Sequence, residues 1–246
     1  MEAALRAGRK EPHVLAASGR FRGFAPETGQ RADAPQIMKD AKLKAMFCAF
    51  RKVDISKWFD GGGTITSYDS PLISYDIACQ VARNLANSSR DIEFYSIALT
   101  QFQMEGLFST RAGFFLSALM NSSPDKEFVI HTAQLCSGTG PKPYAYIGTK
   151  NRDENIIVNG DCGKCIGWGM EGGRIHVEGN VGDFAASCMQ GGVIVVDGSA
   201  SHVGDGMTGG EFRAMEGKEF RLATTIWGGR FFHKEKEIFP KKRNFL

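Results

Sequence analysis

A chain of 246 residues with 42% hydrophobic and 23% charged side chains is long enough to bury one large core or two small ones. Its 30 basic and 27 acidic residues, a formal net charge of +3, are too evenly spread for a nucleic-acid footprint, and six cysteines are too sparse for a disulfide scaffold. No apolar run approaches the roughly 18 residues of a membrane span, so the chain is expected to be soluble and cytoplasmic, without nucleic-acid or membrane partners.

Residues 1–37 carry Arg6, Arg9, Lys10, Arg20, Arg22 and Arg31 but lack the apolar segment of a secretory signal. Glu2, Glu11, Glu27 and Asp33 speak against a transit peptide, so this stretch reads as a disordered leader with Met38 as an alternative start. Residues 38–149 read as a mixed α/β unit. It opens on a charged, partly helical lead-in, broken at Asp60-Gly61-Gly62-Gly63 by backbone freedom. Between Tyr75 and Leu85, Ile77, Val81 and Leu85 stand four apart on one face of a predicted helix, which Asn87-Ser88-Ser89 can end. Ile92 to Phe102, rich in β-branched and aromatic residues, predicts a strand. Residues 109–121 predict an amphipathic helix capped by Ser109, Phe128 to Thr132 predicts another strand, and Ser137 to Pro143 reads as a linker.

Over residues 150–230 the period changes. Ile156 to Gly160, Ile175 to Gly179 and Ile194 to Gly198 repeat an apolar strand, a polar residue and a glycine at intervals of nineteen. Met170-Glu171-Gly172-Gly173, Met189-Gln190-Gly191-Gly192 and Met207-Thr208-Gly209-Gly210 recur between them, the last interval one residue shorter. A constant period near 20 residues marks a solenoid, because one coil cannot bury its own apolar side. The expected fold is α+β: the α/β unit followed by a short right-handed parallel β-helix. Ile156, Ile175 and Ile194 should form one interior column and Val158, Val177 and Val196 a second, with Ile157, His176 and Val195 outward. Trp227-Gly228-Gly229 stands where a degraded fourth coil would begin, and residues 231–246 form a basic tail.

The repeat resembles the GXGXG-motif domain, the β-helix found at the C-terminus of the glutamate synthase large chain and in one of the subunits of formylmethanofuran dehydrogenase. The resemblance rests on Gly160, Gly163, Gly167, Met170, Gly172 and Gly173, on Gly179, Gly182, Met189, Gly191 and Gly192, and on Gly198, Gly204, Met207, Gly209 and Gly210. It covers only about residues 144–230. It implies a structural β-helix packed beside domains that hold redox chemistry. Ala186 and Cys188 depart from the pattern, filling places that are Gly167 and Gly169 one coil earlier. Nothing before residue 150 matches the amidotransferase or synthase domains of glutamate synthase, so that activity is not implied.

Cys162-Gly163-Lys164-Cys165 has the spacing of half a zinc or iron–sulfur site, and Cys188 follows about one coil later. The same places hold Val181 and Phe184 in the next coil, which favours packing over ligation, and no metal or cofactor is expected. His176 and His202 have no nucleophile or carboxylate fixed beside them by the repeat. The glycine strings Gly160 to Gly173 and Gly204 to Gly210 look like phosphate loops, but such a loop must open a helix, whereas these recur in every coil. Asp69, Tyr75, Asp76, Arg111, His131 and Gln134 fall near element ends without forming a motif, and the catalytic residues stay unknown. The chain is therefore expected to be a non-catalytic scaffold, its partners the protein subunits of an oxidoreductase-type complex or further copies of itself. The alternative is an enzyme with its site in residues 65–150 and the β-helix as support. A hexapeptide-repeat acyltransferase is disfavoured, since the period supplies no aliphatic residue at every sixth position.

Overall fold

The computed structural model describes residues 41–59, 65–67, 69–85, 87–135, 142–217 and 219–238. The expected leader, the glycine break at 60–63, Cys136, most of the 137–143 linker and the end of the basic tail lie outside the described residues.

Among the described residues four helices precede the ladder. The first, α1 (Ala41–Arg51), buries Leu43, Met46, Phe47 and Phe50, one stripe at helical spacing. In α2 (Ser70–Ala82) the inward face is Ser74, Tyr75, Ala78 and Ala82, and the predicted face of Ile77, Val81 and Leu85 is half-buried instead. The small residues turn inward because another helix must approach closely there.

The predicted strand at 92–102 is a helix, α3 (Ser89–Ala98), followed by a 3₁₀ turn (Leu99–Phe102). Ser88 does not end the preceding helix. It starts this one through a capping box, the Ser88 hydroxyl accepting from the Asp91 N–H and the Asp91 carboxylate from the Ser88 N–H. Ile92, Tyr95, Leu99 and Phe102 then recur at helical spacing on the buried side, which outweighs the β preference of the individual side chains. The next helix, α4 (Phe108–Ser122), starts at Leu107 in the left-handed region (φ 59°), with no side-chain cap. Ser109 lies inside it and its hydroxyl donates to the Pro143 carbonyl. Every residue from Ala112 to Met120 is buried, so α4 is a central helix rather than an amphipathic one.

Parallel rungs follow: β1 (Glu127–His131), β2 (Asn155–Asn159), β3 (Arg174–Val177), β4 (Val193–Val196), β6 (Glu211–Ala214) and β8 (Arg230–His233) pair in that order, and a short antiparallel β9 (Lys236–Glu237) closes on β8. A second, two-stranded sheet joins β5 (Ala200–Val203) to β7 (Phe220–Leu222). The solenoid coils of about 19 residues are thus present, the ladder begins at Glu127, and Trp227-Gly228-Gly229 leads into the β8 rung.

Register confirms the columns and lengthens them. Phe128, Ile156, Ile175, Ile194, Phe212 and Phe231 align and are buried, as are Ile130, Val158, Val177, Val196 and Ala214 beside them. Where the first column widens to Phe212, the second narrows to Ala214, which conserves the volume of the layer. Ile157 and His176 face out as expected, but Val195 is buried. Its neighbours in that column are the longer His176 and Arg213.

The paired glycines have two separate causes. A Cβ on Gly191 would stand 2.4 Å from the Glu171 carbonyl oxygen of the preceding coil. On Gly192 it would stand 2.5 Å from the terminal methyl of Met170, at a φ of +87° that disfavours any side chain. Each buried methionine thus ends against the second glycine of the next coil.

Helices and ladder share a core within one compact unit. A Cβ on Gly113 would lie 1.5 Å from the Ala145 carbonyl oxygen, so α4 meets the first coil backbone to backbone. The Phe114 ring stacks on Tyr146 at 4.4 Å, and the Asn121 Nδ2 donates to Tyr75 OH and to the Thr149 carbonyl, joining α2 and α4 to that coil.

Candidate functional site

The segment between rungs carries most of the residues that the sequence singles out. In each coil alternate residues adopt left-handed φ: Tyr146, Gly148 and Lys150, then Cys165, Gly167 and Gly169, then Phe184, Ala186 and Cys188, then His202, Gly204 and Gly206. Ala186 (φ 59°) and Cys188 (φ 56°) keep the backbone of the glycines they replace, so these departures leave the coil intact. Alternating conformations of this kind can form anion-binding nests. Here the amides are engaged between coils: Cys165 N–H donates to Asp183 O, Gly167 N–H to Ile147 O and Gly169 N–H to Ser187 O. These donors are committed to the stack, consistent with the glycine strings being corners rather than phosphate loops.

Cys162 forms a bridge with Val181 and is buried, its Sγ 3.2 Å from the Tyr144 carbonyl oxygen. Burial pushes its thiol up to about 12. Cys165, hydrogen-bonded to Tyr146 and also buried, is pushed up to about 11 by the same cause. Both are held as thiols, the protonation state that a metal ligand must give up. Cys188 is half-buried in the next coil. Among the described residues no group of three or more His, Cys, Asp or Glu side chains is placed to hold a metal ion.

The structure gives both histidines carboxylate partners that the repeat did not disclose. His176 Nε2 lies 3.0 Å from Asp197 Oδ1, and His202 Nδ1 lies 3.5 Å from Asp183 and 3.1 Å from the Ser201 hydroxyl. Asp183, His202 and Ser201 do not form a relay. Both contacts fall on one ring nitrogen, whereas a relay needs the carboxylate on one nitrogen and the nucleophile on the other. The His202 ring stacks on Phe184 at 5.6 Å, at the surface.

The middle-region candidates are engaged separately. Asp69 is the exposed N-cap residue of α2 and makes no side-chain cap bond, and Asp76 is exposed on the same helix. Burial raises the Tyr75 pKa by desolvation, and its hydroxyl accepts a hydrogen bond from Asn121 Nδ2. Arg111 donates to the Val53 carbonyl, pairs with Glu105 and lies over the Phe50 ring, tying down the end of α1. His131 meets Glu93, and the Gln134 amide donates to the His131 carbonyl. Glu154, which no sequence motif marks, is a buried carboxylate bound by Lys126 Nζ and the Arg152 N–H. Its spacing from Asn151, which bonds both its N–H and its C=O, marks a local turn rather than a site.

Two of the clefts among the described residues lie on the helical side. The larger, about 510 Å³, is bordered by Arg83, Asn87 and Asp125, whose carboxylate accepts the Ser89 N–H. The smaller, about 280 Å³, lies beside Asp54 and Arg111. No described helix is long and apolar enough to cross a membrane. Comparison of the chain with protein families, curated proteins and solved structures finds no match.

Proposed function

We propose that this chain is a non-catalytic scaffold or subunit-interaction protein, with the β-solenoid as its docking surface. One observation carries the reading: polar side chains on the ladder, His176 among those the sequence singles out, are used to hold coil to coil. His176 spans to Asp197, Asn180 to Asp161, and Arg152 to Glu171, each across neighbouring coils. A ladder tied in this way is rigid, and rigidity lowers the ordering cost of binding a partner. The resemblance of the repeat to the GXGXG-motif β-helix points to an oxidoreductase-type complex as the setting, with a redox protein as the partner.

Affinity capture of the full chain under native conditions tests this. A stoichiometric protein partner that carries flavin, iron–sulfur or another redox group is expected, with no turnover by the isolated chain. Turnover by the isolated chain would overturn the proposal.

A further inference from the structure

We draw no further inference here: the strongest candidate, the cleft of about 510 Å³ between the end of α2 and the start of α3, carries nothing, because the unpartnered Asn87 Oδ1 beside it is sealed from solvent and Ala86, between the lining residues Leu85 and Asn87, lies outside the described residues.

Discussion

Cys162 occupies a column that Val181 continues, and its thiol proton lies against a carbonyl that also accepts the Gly163 N–H. Cys162→Val therefore leaves no orphaned acceptor and keeps the volume of the column. Chemical denaturation should find its stability within about 1.5 kcal/mol of the native chain. The pH dependence carries a sign. The unfolded thiol ionises near its ordinary value of 9.0, while the folded one holds its proton up to about 12. Stability from this group is intact below pH 9 and declines as pH rises toward 12, because the unfolded state then binds fewer protons. Comparing denaturation at about pH 8 and about pH 10.5 should show the valine variant losing less than the native chain. Elemental analysis of the same pair checks the packing reading: zinc or iron bound by the native chain and lost in the variant would replace packing by ligation.

Gly113 reverses an ordinary helix rule. In an exposed helix Gly→Ala gains about 1 kcal/mol. Here the added methyl would meet the Ala145 carbonyl at 1.5 Å, and that carbonyl belongs to the first coil. Gly113→Ala must push α4 away from the ladder and disturb the Phe114–Tyr146 stack, at an expected cost of about 3 kcal/mol or more in urea denaturation. A neutral or stabilising result would show that the helix and the coil are not in backbone contact. Asn121, two turns further along the same helix, fastens the joint through the Thr149 carbonyl.

Across the whole molecule the two ends of the stack should differ in stability. A solenoid coil is held only by its neighbours, so an end with one neighbour opens first. The β1 rung lies against α3, and α4 packs on the first coil at Ala145 and Tyr146, whereas among the described residues no helix packs extensively on β7, β8 or β9. Native-state hydrogen exchange should give amides of β7–β9 opening free energies at least about 2 kcal/mol below those of β2–β4. Equal protection at both ends would mean that the last coil is covered.

The repeat was legible in the chain because each coil restates the same constraints. A Cβ is excluded where a carbonyl or a methionine methyl arrives from the adjacent coil, so glycine, methionine and alternating apolar residues recur at nineteen, and strand, corner and column follow from spacing alone. The helical layer restates nothing. Ile92 to Phe102 has strand-like composition, yet the Ser88–Asp91 capping box and the buried stripe make it helix. The face of α2 is set by the approach of α4, which no residue in α2 announces. Pairings such as His176 with Asp197 join residues twenty-one apart in sequence that a single coil turn brings to 3.0 Å. The sequence by itself determined the period, the columns and the corners. Only the tertiary structure decided which ladder edge is covered, because that depends on where helices with no repeat of their own come to rest.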